Sequence, residues 1–247
     1  MVMYEPTTLE YARYAGDIIR RHAEEWQGYL DRFPAARDKK VFLSIDEYAY
    51  GGLGGAGRGG PNLKTALAYG MLLNEWMRHT DSIPMGARTM GTSALDITPT
   101  ASTYNTIGLI YKLYGEQFPG AVPVELKGNS PQPPTNPNYA DEPKVRSSSP
   151  TYPLDMFAAL SADKKNLIIS VVNATDKEQK VDLSVTGTGL AGSGKAWGVC
   201  GTSLDAANHA GEKPQVEVKE TTLTETPSSL TAAPYTVSVY RFPVAAK

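Results

Sequence analysis

Apolar residues recur at Tyr11, Ala15, Ile18, Ile19, Trp26, Tyr29 and Leu30, with His22 among them, at the three-and-four spacing of one helix face. Thr7-Thr8-Leu9-Glu10, just after Pro6, has the form of an N-cap with an acidic first turn, and the pattern closes near Arg32-Phe33-Pro34. Residues 41–45 are short and almost continuously apolar, which predicts a parallel strand covered on both faces. A second helix is expected over 63–79, with Leu67, Met71, Leu72, Trp76 and Met77 on a broad apolar face. Residues 83–87 read as another short strand and 102–118 as a third, tyrosine-rich helix. Helix, strand, loop, helix, strand, loop, helix is the rhythm of a parallel βα architecture.

After Pro119 the pattern changes. Residues 132–153 are rich in proline, serine and asparagine and read as a linker or a long surface crossing. Short strands are expected at 154–160, 166–173, 179–185, 196–200, 215–220 and 235–242, and Thr236-Val237-Ser238-Val239-Tyr240 alternates cleanly. Their spacing predicts an antiparallel sandwich. The expected fold class is therefore α/β plus all-β: a parallel portion over 1–118, a linker or crossing over 119–152, and a β-sandwich over 153–247. Two strands and three helices cannot close a parallel fold, because two parallel strands do not bury both their faces. The first portion is expected to be incomplete by itself.

Composition narrows the partners. The 247 residues are 41% hydrophobic and 20% charged, as in ordinary globular proteins. A formal net charge of −2, with no basic stripe, argues against nucleic-acid and anionic-membrane partners. Cys200 is the single cysteine, so no internal disulfide can form. No apolar run reaches the roughly 18 residues that span a bilayer. The first six residues lack the regions of a signal peptide, which makes cytoplasmic residence the default expectation; a longer parent chain would leave secretion open. His22, His79 and His209 are scattered, so neither a metal nor a cofactor is expected. His22 falls on the buried face of the first helix, and His79 closes the second, where it complements the helix dipole. The loop 51–60 holds seven glycines but no phosphate-binding motif in a strand–turn–helix setting, and reads as a mobile rim.

The candidate chemistry lies at Asp46-Glu47-Tyr48. A buried strand has no local need for two carboxylates at its tip, since desolvating an unpaired one is costly. The C-terminal ends of parallel strands are where an α/β barrel keeps its catalytic groups. Glu47 is the first candidate, against the alternative of a solvated carboxylate opening a loop. If strand alternation holds, Asp46 points to the opposite face and has a structural role.

Lys40-Val-Phe-Leu-Ser-Ile-Asp46-Glu47-Tyr48, followed by the run from Lys64 to Asn74 and Arg78-His79-Thr80-Asp81, resembles the C-terminal half of family 51 glycoside hydrolases, the retaining α-L-arabinofuranosidases. Thr103-Tyr104 with Tyr111-Lys112-Leu113-Tyr114, Ile169 to Asn173, Ser203 to Asn208, and Ala233 to Val239 extend the resemblance in order along nearly the whole chain. It implies a (β/α)8 barrel followed by a β-sandwich, with this chain entering near the sixth helix and supplying the seventh and eighth barrel strands. Glu47 matches the nucleophile, and the acid/base glutamate would lie upstream, on the fourth strand. Retaining glycosidases need two carboxyl groups about 5–5.5 Å apart, so the resemblance implies a second chain or N-terminal segment that completes the barrel. Tyr48 stands where the family usually has tryptophan, and either stacks on a sugar or simply packs. Met90 and Ser93 occupy places where the family carries a glutamine and an asparagine near the sugar, which makes Met90 a candidate substrate contact. Arg88 either compensates for the lost amides or is an exposed loop arginine. The implied partner is an arabinose-containing oligo- or polysaccharide, with oligomerisation an expectation of the family. Two other readings stay open: a non-catalytic carbohydrate-binding or scaffold relative, and a related xylosidase or glucanase of the same barrel clan.

Overall fold

A computed structural model describes residues 7–50, 61–88, 94–130, 145–225 and 228–245. Helix α1 (Thr8–Arg32) starts at a capping box: the Glu10 amide donates to Thr7 Oγ1 (3.3 Å), and the Thr7 amide donates to the Glu10 carboxylate (2.8 Å). It ends at Phe33, and Pro34 opens the single turn α2 (Pro34–Asp38). The inward face of α1 is made of small residues, Ala12, Ala15, Gly16 and Ala23, with Ile19, which lets it approach α3 (Leu63–Arg78) closely. A Cβ on Gly16 would lie 3.3 Å from the Met71 carbonyl oxygen. His22 lies outside this face and is exposed, contrary to the expectation of a buried histidine. The contact with α3 is set by the small residues, and the larger apolar side chains lie round from it. Tyr29 and Phe33 are 38% and 52% exposed and pack in a row with Trp26.

Strand β1 (Ser44–Tyr48) pairs in parallel with β2 (Met85–Arg88). The strand expected at 41–45 thus begins three residues later, and it is not covered on both faces: Val41 and Phe42 are 44% and 48% exposed. Among the described residues β2 is its only hydrogen-bonded neighbour, and Ile45 and Tyr48 pack against the helical core. The third helix is shorter than the expected 102–118. The strands β3 (Leu95–Ile97) and β4 (Ser102–Tyr104) form a hairpin, and Asn105 then caps α4 (Thr106–Gln117) by accepting from the Gly108 amide at 2.9 Å.

The rest is antiparallel: β5 (Val122–Pro123), β6 (Asp155–Leu160), β7 (Asn166–Asn173), β8 (Gln179–Asp182), β9 (Gly194–Gly201), β10 (Val216–Leu223), β11 (Ser229–Ala232) and β12 (Thr236–Pro243). Six of them form one sheet in the order β10-β9-β12-β7-β6-β5, and β8 pairs with β11 apart from it. One face of the large sheet presents Ile168, Val172, Val199, Val237 and Val239 to α3 and α4. Gly70 makes this packing possible, because a Cβ there would sit 2.9 Å from a Val237 methyl and 3.0 Å from one of Val172. The opposite face, with Met156, Ile169, Val171, Tyr240 and Phe242, is covered by Leu230, Ala232 and Val181 of the small sheet. The fold is thus mixed α/β with mostly antiparallel sheets, in which the helical layer and the large sheet share one core. Among the described residues no helix is long and apolar enough to cross a membrane.

Candidate active site

The tip of β1 is where pairing with β2 changes step. Ile45 is in register with Gly86 and Tyr48 with Arg88, so three residues on β1 match two on β2. Ile45 and Tyr48 both pack into the helical core, and the extra residue falls in the stretch that carries Asp46 and Glu47. Simple alternation, which would set Asp46 opposite Glu47, is therefore broken, and both carboxylates are exposed. Irregular pairing of this kind re-aims side chains and is common beside active sites. Asp46 accepts a hydrogen bond from Ser44 Oγ at 2.6 Å, a structural use. Glu47 makes no hydrogen bond or ion pair with the described residues.

Behind the tip lies a cluster of aromatic rings and a guanidinium. The Tyr48 ring packs 4.9 Å from Trp76 on α3, and its hydroxyl lies 2.6 Å from that of Tyr111 on α4. Arg88 is half-buried; its Nε donates to the Tyr69 hydroxyl at 3.3 Å, and its guanidinium sits over the rings of Tyr69 and Tyr111 at 5.4 and 5.8 Å. Arg88 is therefore not an exposed loop arginine. Burial raises the Tyr48 hydroxyl above its ordinary pKa, and raises that of Tyr111 further with help from the Tyr48 hydroxyl beside it. Both phenols stay neutral at physiological pH, so the charge within this cluster is that of the Arg88 guanidinium. Just past the strand the Tyr50 amide donates to the Tyr69 hydroxyl (3.1 Å), and the Tyr50 hydroxyl donates to the Tyr11 carbonyl (2.5 Å). The exit of β1 is thus fastened to both α1 and α3. The loop 51–60, Met90 and Ser93 lie outside the described residues.

A second polar cluster fixes α3 to the sheet. Glu75 is fully buried; its Oε2 accepts from Arg78 Nη1 (2.7 Å) and the Ser148 amide (3.1 Å), and its Oε1 accepts from Ser148 Oγ and lies 3.0 Å from His79 Nε2. Arg78 Nη2 donates to Asp155 Oδ1 and to the Met156 carbonyl, both at 2.6 Å. Asn74 Nδ2 and Ser147 Oγ also donate to Asp155, at 3.0 and 2.5 Å. Burial pushes the Glu75 carboxyl up, but the bonds from His79 and Ser148 and the charge of Arg78 outweigh it and hold its pKa below 4.5. Asp17, also fully buried, receives Arg20 Nη2 at 2.6 Å and the Arg146 amide at 2.9 Å. Residues 145–149, at the end of the expected crossing, are therefore clamped across α1 and α3. The sequence pattern missed this cluster, and its one signal was charged residues at helical spacing on apolar faces. Among the described residues no group of three or more histidines, cysteines or acids is placed to hold a metal ion.

No protein-family model and no curated protein matches the sequence. Solved structures do match the fold. The α-L-arabinofuranosidase of Thermotoga maritima, in complex with arabinose, superposes with a TM-score of 0.69 over 93% of this chain and 49% of its own, at 17% identity. The thermostable family 51 α-L-arabinofuranosidase of Thermotoga petrophila RKU-1 gives 0.67 over 91% and 48%, at 19% identity. CelM2, a bifunctional glucanase-xylanase from a metagenome library, gives 0.55 over 98% and 41%, at 13% identity. The chain spans about half the length of the two arabinofuranosidases, and at these identities the likeness is one of fold. The expected resemblance to the C-terminal half of such enzymes holds at that level.

Proposed function

We propose that these residues are the nucleophile-bearing part of a retaining glycosidase that releases terminal α-L-arabinofuranosyl units from arabinose-containing glycans. Residues 1–118 are the closing section of a (β/α)8 barrel, 119–152 the crossing and 153–247 a β-sandwich. The observation that carries this reading is Glu47: an exposed carboxylate at the irregular tip of a parallel strand, braced from behind by Tyr48, Trp76 and Tyr111. Glu47 attacks the anomeric carbon. The acid that protonates the departing oxygen, and later draws a proton from water, comes from a barrel portion outside these residues, on another segment or another chain. Tyr48 acts by holding the tip, since its ring and hydroxyl are engaged by α3 and α4. Met90 contacts the sugar in place of an amide and weakens hydrogen bonding to a hydroxyl there, which relaxes selectivity.

The test needs no acid catalyst. A 2-deoxy-2-fluoro-α-L-arabinofuranoside with a dinitrophenolate leaving group departs unprotonated, so the chain by itself is expected to form an ester at Glu47, detected by mass-spectrometric peptide mapping and absent in Glu47→Gln. Unactivated arabino-oligosaccharides are expected to survive until the acid/base portion is supplied. Labelling elsewhere, or no labelling, removes Glu47 as the nucleophile. Ordinary turnover of the oligosaccharide by the chain alone removes the claim of a separate acid.

A further inference from the structure

A cavity of 480 Å³ lies between the start of α1 and one end of the large sheet, lined among others by Glu10, Arg13, Tyr152, Thr175, Asp176 and Tyr235. It is a different place from the tip of β1, and none of the residues argued above to act at Glu47 lines it. Its volume falls in the range of small-ligand sites, about 300–1,000 Å³.

The walls are built rather than incidental. Tyr235 follows Pro234 with φ at +50°, a left-handed conformation that glycine adopts freely and a bulky side chain does not. Backbone strain of this sort concentrates at functional positions. Here it places a half-buried tyrosine on the cavity wall. The turn is held by Asn173, fully buried, whose Nδ2 donates to the carbonyls of Lys177 (2.8 Å), Ala232 (3.0 Å) and Ala233 (3.0 Å). Its Oδ1 accepts from the Thr175 amide and hydroxyl at 3.0 and 2.7 Å. One side chain thus fixes the two turns that carry Thr175, Asp176 and Tyr235. On the opposite wall Glu10 is set by the capping box, and Arg13, 4% exposed, holds its guanidinium 4.7 Å from the centre of the Tyr152 ring. The capping box takes up the Thr7 and Glu10 amides.

We propose that this cavity binds a neutral sugar unit of a glycan, as a second carbohydrate site apart from Glu47. Two carboxylates, Glu10 and Asp176, disfavour an anion, and buried Arg13 offsets part of their charge, so the walls do not single out an ion of either sign. A neutral polyol meets both kinds of group as hydrogen-bonding partners. The tyrosine rings offer the flat apolar surface against which the C–H face of a sugar ring rests. That the sugar is arabinose-containing rests on the proposed function; the site itself does not.

Tyr235→Gly is the direct test, because glycine removes the side chain while adopting the left-handed conformation freely. Linear arabino-oligosaccharide and xylo-oligosaccharide are titrated by calorimetry into the full chain carrying Glu47→Gln, which removes any reaction at that carboxylate. We expect saturable binding that weakens at least roughly tenfold in Tyr235→Gly, the change expected when about 1.4 kcal/mol of contact is lost. Tyr235→Phe, which keeps the ring, should bind like the parent. Both variants should retain one cooperative unfolding transition. Unchanged affinity in Tyr235→Gly, or no binding of either glycan by the parent, overturns the proposal. Failure of Glu47 labelling alone leaves this binding intact, so the two readings fail separately.

Discussion

Arg78 joins two buried carboxylates, and replacing it with methionine leaves both without their cation. The side chains of Arg78, Glu75 and Asp155 are 14%, 0% and 4% exposed, so solvent screening does little to soften the change. Removing one partner of a buried ion pair costs about 3–5 kcal/mol. Here two acids are stranded, while donors from Ser148, His79, Asn74 and Ser147 remain, so the loss should fall within that range rather than beyond it. For a chain of this size it corresponds to a fall of roughly 6–20 °C in Tm. The pH dependence follows from Glu75. Its pKa is lowered in the folded state, so its contribution is present above 4.5 and is lost as the pH falls through the lowered value. Without the charge of Arg78 the Glu75 pKa should rise from its lowered value, and acid unfolding should begin at a higher pH. Urea unfolding of the wild type and Arg78→Met between pH 4 and 8 measures both effects. A triple variant, Arg78→Met/Glu75→Gln/Asp155→Asn, should recover much of the loss, because the cost lies in unpaired charge. A loss under about 1 kcal/mol, typical of a surface ion pair, or a triple variant no better than the single, would refute the reasoning.

Gly86→Ala should destabilise by about 1–3 kcal/mol or more, since the added Cβ would sit 2.1 Å from Trp76 Cη2, and that ring is tied by its Nε1 to the Ile83 carbonyl at 2.9 Å; urea unfolding with no change would show that the ring can move aside. The same variant should slow labelling of Glu47, because β2 is the only paired neighbour of β1 among the described residues. Tyr114→Phe removes a buried hydroxyl placed 2.6 Å from Ser170 Oγ and 2.9 Å from Asn74 Oδ1, and should cost about 1–3 kcal/mol. Adding Ser170→Ala should then cost less than it does alone, and additive losses in the double-variant cycle would show that the two groups do not act together.

Periodicity revealed α3, the capping motif revealed the start of α1, alternation revealed β12 to within a residue, and an apolar run between turn residues revealed β7, because each of these is a local property. Three things were not local. Residues 41–45 look like a strand buried on both faces, yet burial depends on neighbours that these residues do not include. The side chains of Asp46 and Glu47 follow from a change of step against β2, which no property of β1 announces. His22 and Asp17 both sit among apolar positions of α1, and only the close approach of α3 at Gly16 decides that Asp17 goes inside and His22 out. Of the candidate site, Glu47 and Tyr48 were legible as residue types at a strand end. The group of Tyr69, Arg88 and Tyr111 was not, because it is assembled from two helices and a strand.

That assembly bears on why an antiparallel sheet accompanies a parallel strand pair at all. Among the described residues strand β1 has one hydrogen-bonded neighbour, too little to fix the aim of a carboxylate. Its position is set from behind: Tyr48 and Gly86 rest on Trp76, Trp76 belongs to α3, and Tyr50 is tied to Tyr69 on the same helix. Helix α3 in turn lies on the large sheet, with Gly70 against Val172 and Val237, and is locked to β6 through Asn74, Arg78 and Asp155. The sheet therefore serves as the rigid base from which Glu47 is aimed, through one helix and two strands. Cutting the chain between α4 and β6 would strip one face of α3 and strand its buried charges, so the two portions should unfold in one transition. On the proposed function, a carboxylate held from behind in this way would face the barrel portion that supplies the proton donor.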